Sequence, residues 1–172
     1  MRSPAPTLRG DRAMQMGAEF DATGQYRYTL WREWDGSQPR VGFVMLNPST
    51  ADATADDPTI RRCMGFARRW GCGSVEVVNL FAYRATRPQL LQQAIEPVGL
   101  DNDRQILAAS RRVSWLVLAW GNFGSWLGRD RAVVALLNSV NCYCLGLNRT
   151  GSPKHPLYLP NRTQLISFHS LL

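Results

Sequence analysis

The chain has 172 residues, of which 45% are hydrophobic and 19% charged, and these proportions exclude wholesale disorder. The formal net charge is +7, with a sequence pI near 9.8, which favours anionic partners without specifying nucleic acid. No run is apolar enough for a membrane span and the first residues lack a signal-peptide core, so a cytoplasmic protein without membrane partners is expected.

Residues 1–20 mix Gly, Pro, Ala and charge, and are expected to form a flexible segment ahead of a single α/β domain over 21–172. YRYTLWREW (26–34) alternates and is rich in aromatic and β-branched types, which predicts a strand, with DGSQP as the turn after it. VGFVML (41–46) is a short apolar run of the kind buried on both faces in a central strand. In DDPTIRRCMGFARRWGCG, Asp57 is placed to cap a helix, Pro58 suits its first position, and Gly71 and Gly73 mark its end. SVEVVNLF (74–81) is the next strand, followed by the polar YRATRPQ and two helices, LLQQAIE and DNDRQILAASRR. VSWLVLAW (113–120) is the most apolar strand, GSWLGRDRAVVALLNS has a helical pattern, and NCYCLGL (141–147) is strand-like. GSPKHPLYLP is a loop or helix start, and TQLISF closes the domain. Strands alternating with helices after residue 40 favour parallel crossovers. The expected architecture is a three-layer α/β sandwich around a central, mostly parallel four-stranded sheet.

In such sheets ligands bind beyond the carboxyl ends of the strands. Here those ends carry Asn47, Pro48, Ser49; Asn79, Phe81, Tyr83, Arg84; Trp120, Asn122; and Asn148, Arg149, Lys154, His155. Amides suit a planar edge that both donates and accepts hydrogen bonds, such as a nucleobase. His155 is one of only two histidines, placed to donate to a carbonyl oxygen or to stabilise negative charge. The paired Arg61 and Arg62 fit either a solvated helix face or a phosphate. The four cysteines, Cys63, Cys72, Cys142 and Cys144, match neither zinc nor CxxC spacing, and most of them read as small core residues in a reducing compartment. No cofactor and no metal are assigned. Asp52, Asp56 and Asp57 leave one alternative open, a divalent ion completed by a phosphate ligand.

On LNPSTADATADDPTIRRC, NLFAYRAT, AWG and GSPKHPLYL, the chain is identified as a member of the family called domain of unknown function 1643. More distantly, MLNPST (45–50), VVNL (77–80), VLAWG (117–121) and HPLYLP (155–160) resemble, in order, motifs of the uracil-DNA glycosylase superfamily. That resemblance implies a uracil-DNA-glycosylase-like fold and the hydrolysis of an N-glycosidic bond in DNA or a nucleotide. It assigns Asn47 to positioning the attacking water, His155 to the departing base, and Asn79 to reading the base. Pro48, Ser49, Phe81, Tyr83, Trp120 and Asn122 would complete substrate binding, with Arg61, Arg62, Arg84, Arg149 and Lys154 on phosphates. Leu157 and Tyr158 depart from the Ser-Pro that usually follows His-Pro, and TADATADDPTIRR after Ser49 is a long insert. Two other functions remain in play: a non-catalytic nucleic-acid or nucleotide-binding module, and a metal-assisted phosphate-ester hydrolase using the three aspartates.

Overall fold

The apolar runs form strands that bury both faces. In the computed structural model, which describes residues 13–171, β3 (Arg40–Met45), β4 (Ser74–Asn79), β5 (Trp115–Leu118) and β6 (Cys142–Cys144) lie parallel in the order β4-β3-β5-β6. Alternate side chains enter opposite layers. Phe43, Met45, Val77 and Val117 pack under α1 (Pro58–Arg69) through Ile60, Cys63 and Met64. Val44, Val78, Leu116 and Leu118 pack on the other side against α2 (Pro88–Gln92), α3 (Asn102–Arg112) and α4 (Arg129–Leu136) through Leu91, Ile106 and Val133.

The expected four-stranded sheet is corrected to a mixed sheet of seven strands in the order β1-β2-β4-β3-β5-β6-β7. β1 (Gln15–Phe20), β2 (Arg27–Glu33) and β7 (Ile166–Ser167) add three antiparallel pairings to the three parallel ones. β1 lies inside the segment 1–20 that was expected to be flexible. It pairs along β2, from Gln15↔Glu33 to Phe20↔Arg27, and sets Ala18 against the core, so backbone pairing prevails over its polar composition. Residues 1–12, the rest of that expectation, lie outside the described residues.

β2 carries two buried arginines, Arg27 and Arg32, exposed by 2% and 0%. A buried guanidinium is costly unless its donors meet acceptors. Arg32 meets them in the segment after β3: Nε donates to Asp56 Oδ1 at 2.7 Å, and Nη2 to the carbonyls of Asp52 and Ala55 at 2.6 and 3.2 Å. Arg27 Nη1 donates to the Ala51 carbonyl at 2.6 Å. The segment tightens itself as Asp52 Oδ1 accepts from the backbone N–H groups of Thr54 and Ala55, both at 2.8 Å. Asp57 is thereby delivered to the start of α1, where its Oδ1 accepts from the Ile60 N–H at 2.8 Å and Pro58 fills the first turn. The insert after Ser49 is a fitted strap tied to β2.

All four cysteines are free and buried. Burial pushes the thiols of Cys72 and Cys142 up to about 11, so neither is a ready nucleophile at neutral pH. No helix among the described residues is long and apolar enough to cross a membrane.

Replacing Arg32 strands the Asp56 carboxylate and two carbonyls. Arg32→Met is expected to cost about 3 kcal/mol, read as a lower urea midpoint at unchanged slope. A loss below about 1 kcal/mol would show that the strap holds itself.

Candidate functional site

A cavity of about 660 Å³ opens at the carboxyl ends of β3, β4 and β5 on the α1 side of the sheet. That size suits a small organic ligand. Its wall includes Asn47 and Ser49 beyond β3, Asn79 at the end of β4, Trp120 and Asn122 beyond β5, and His155. Arg27, Asp57, Thr59, Thr86 and Arg87 line it too. The aromatic rings at its mouth are Phe123 and Tyr158, exposed by 51% and 90%.

The wall is held by backbone pairing past the strand ends. Leu80 N–H donates to the Met45 carbonyl at 2.9 Å, Phe81 to Leu46 at 3.0 Å, and Ala85 to Pro48 at 2.9 Å. Asn47 Nδ2 donates to the carbonyls of Pro48 and Ala85 at 2.9 and 2.8 Å. Two carbonyl partners fix the orientation of this amide, and its Oδ1 is left as an acceptor.

Asn79 is the most unusual group. It is 1% exposed, and neither its Nδ2 nor its Oδ1 has a hydrogen-bond partner. Its own carbonyl is served from the opposite face. Asn102 Nδ2 donates to the carbonyls of Asn79 and Leu80 at 2.9 and 3.0 Å, and Arg129 Nε to that of Leu80 at 2.7 Å. A rigid strand end thus presents an amide whose two functions are both unspent. The indole Nε1 of Trp120, 3% exposed, is also buried without a partner. Gly124 lies flat on this ring, where a Cβ would come within 2.1 Å of it.

Gly121 turns the chain at φ +74, a conformation that favours glycine, and donates its N–H to the Pro153 carbonyl at 2.9 Å. This brings the His155 loop to the rim. Arg62 secures the loop to α1: its Nε donates to the Pro156 carbonyl at 3.2 Å, and its Nη atoms donate to Leu159 O and Asn161 Oδ1. His155 Nδ1 accepts from the Leu157 N–H at 3.1 Å, so the neutral ring carries its proton on Nε2. Burial lowers its pKa from the usual 6.5, opposed by the Asp57 charge. Asp57 Oδ1 is spent on the helix cap, while Oδ2 makes no hydrogen bond to a described residue. Arg27 is lowered to about 10 by burial, with Asp57 again opposing, and stays charged at neutral pH.

Of the residues expected from sequence, Asn47, Ser49, Asn79, Trp120, Asn122 and His155 meet in this cavity. The others do other work. Pro48 is buried behind the wall, its carbonyl bonded to Asn47 and Ala85. Phe81 lies in the core of the opposite face, its ring 5.0 Å from that of Trp126, and Tyr83 sets its ring edge-on to Tyr26 at 5.6 Å. Arg61 Nη1 donates to the Asp56 carbonyl at 2.8 Å, and Arg84 lies over the Phe20 ring and donates to Gly24. Lys154 runs its side chain beside Gly146, and Arg149 is exposed, both outside the cavity lining. The three aspartates divide into a turn, the Arg32 pair and the helix cap, and no metal-type group of three His, Cys, Asp or Glu exists among the described residues. Arg27, Arg87 and Tyr158 line the cavity without having been expected as site residues, and Asp57, expected as a cap or metal ligand, lines it too. A charge inside the apolar RYTLWR strand was the available signal for Arg27.

The chain matches, over residues 27–157 of 172, the family described as Protein of unknown function (DUF1643), and it belongs to that family. Searches of curated proteins and of solved structures return no match.

Two outcomes follow from the geometry. Folded His155 titrates below its ordinary value, so below about pH 6.5 the unfolded chain binds more protons there than the folded one. Stability is therefore expected to fall as pH drops through this region, with a shallower fall in His155→Gln, measured by urea unfolding between roughly pH 5 and 7.5. A mutant slope equal to the wild type would show that His155 does not titrate in this way. Asn79→Leu removes two unpaired buried polar atoms at similar volume and is expected to leave stability unchanged or raise it by about 1 kcal/mol. A loss of that size in calorimetry would mean the amide is bonded in the ligand-free protein.

Proposed function

We propose that the cavity binds a nucleobase by its hydrogen-bonding edge and that the protein hydrolyses the N-glycosidic bond of that base, carried in DNA or a nucleotide. The observation that carries this is the buried amide of Asn79, with donor and acceptor both unpaired at a cavity wall. A heterocycle edge that both accepts and donates satisfies the two atoms together. The resemblance of LNPS, VVNL, AWG and KHP to the uracil-DNA glycosylase motifs supports the same assignment, since residues of all four segments line one cavity.

In the proposed reaction a water molecule attacks the anomeric carbon as the bond from that carbon to the base nitrogen breaks. Asn47 Oδ1 accepts a hydrogen bond from the water, and Asp57 takes its proton through Oδ2. The bond's electrons leave with the base, whose developing oxyanion receives a hydrogen bond from His155 Nε2–H. A neutral donor suits this position, because burial already favours the uncharged ring. The amide of Asn47 is no proton acceptor, so Asp57 is the group on which turnover depends.

The non-catalytic alternative is favoured by one observation: Asp57 already spends one oxygen on Ile60. Incubation with oligonucleotides and free nucleotides bearing uracil, altered thymines and the common bases, scored for abasic sites and released base, separates the two. Turnover is expected, reduced about 100-fold or more in Asp57→Asn and His155→Gln with binding retained. Affinity without product across the panel selects the binding module, and absence of affinity for every member overturns both readings.

A further inference from the structure

Three arginines are buried among the described residues: Arg27, Arg32 and Arg129. Arg32 pairs with Asp56, and Arg129 pairs with Asp103. Arg27 has no carboxylate within ion-pair distance among the described residues. The one hydrogen bond of its side chain goes to the Ala51 carbonyl, and its Nε is buried without a partner. A guanidinium in this condition bears the cost of burial with little return. It also differs from its buried neighbours in lining the cavity.

Position adds to this. The backbone N–H of Arg27 donates to the Ala82 carbonyl at 3.0 Å, so Arg27 sits beside the segment that leaves β4 just past Asn79. The charged lining residues are Arg27 and Arg87 against Asp57, an excess of one positive charge with His155 neutral. The guanidinium fork matches phosphate and carboxylate oxygens.

We propose that Arg27 anchors an anionic group, a phosphate or a carboxylate, carried by the same ligand whose planar edge meets Asn79. This rests on the base-reading role given above to Asn79. It narrows the substrate class to small anionic ligands: a nucleotide whose own phosphate enters the cavity, or a nucleoside whose base bears a ring carboxyl. Exposed by only 2%, Arg27 is out of reach of a backbone phosphate passing over the surface.

The test is titration calorimetry of the full chain at fixed salt. The probes are the common nucleosides and their 5′-monophosphates, pyrimidine bases with and without a ring carboxyl, and inorganic phosphate. For at least one pair the anionic member is expected to bind about ten- to a hundredfold more tightly. The pair that shows the ratio identifies the source of the anion. The ratio should collapse towards one in Arg27→Gln and fall partly in Arg27→Lys, which keeps the charge and loses the fork. Asn79→Leu should weaken both members and preserve the ratio. A ratio near one in the wild type overturns the anchor, as does its persistence in Arg27→Gln. If neutral heterocycles still bind in an Asn79-dependent way, only the anchor falls. Arg27-dependent binding of phosphate that ignores Asn79→Leu supports the anchor and removes the base reading instead. Should Arg27→Gln fail to fold, the wild-type ratio and its change in Arg27→Lys decide the matter.

Discussion

The grip of Arg32 on the strap after β3 is the constraint on which the site depends. A guanidinium with no exposed surface has to find acceptors inside the protein, and Arg32 finds them on Asp52, Ala55 and Asp56. That fixes where the strap ends, and its end is Asp57. The first turn of α1 and the carboxylate of Asp57, whose charge acts on His155, both follow from it. Arg62, one turn into the helix, then ties the His155 loop to α1. Two arginines on different elements thus set the two sides of one cavity.

The distribution of unpaired polar atoms gives the cavity its meaning. Six buried side-chain polar atoms lack partners among the described residues, and four of them, on Arg27, Asn79 and Trp120, belong to its lining. A buried polar atom left both unpaired and dry costs about 1–3 kcal/mol. On the opposite face, Asn102 and Arg129 meet this demand for the carbonyls of Asn79 and Leu80. Under the proposed function, this concentration at one wall is the pattern expected of a binding site without its ligand.

Much of this was legible in the sequence, for definable reasons. The short apolar runs 41–46 and 113–120, bounded by turn signals, read as strands, and Asp57-Pro58 carries its own capping chemistry. The rim residues Asn47, Asn79, Trp120 and His155 were readable because strand ends in α/β sheets face the ligand. β1 was not readable, since its residues gain order from pairing with β2 and not from any apolar pattern of their own. Arg27 was missed because a strand arginine looks like a surface residue until its neighbours bury it. Phe81 was placed at the site by its position after Asn79, yet β4 ends at Asn79, so strand alternation no longer governs Phe81, which lies in the opposite core.

The most direct measurement is a crystal structure of the protein soaked with a pyrimidine nucleoside monophosphate. Asn79 Nδ2 and Oδ1 should each lie about 2.7–3.2 Å from complementary atoms on one edge of the ring. A well-ordered ligand bound elsewhere, with the Asn79 amide satisfied by buried water alone, would contradict the account.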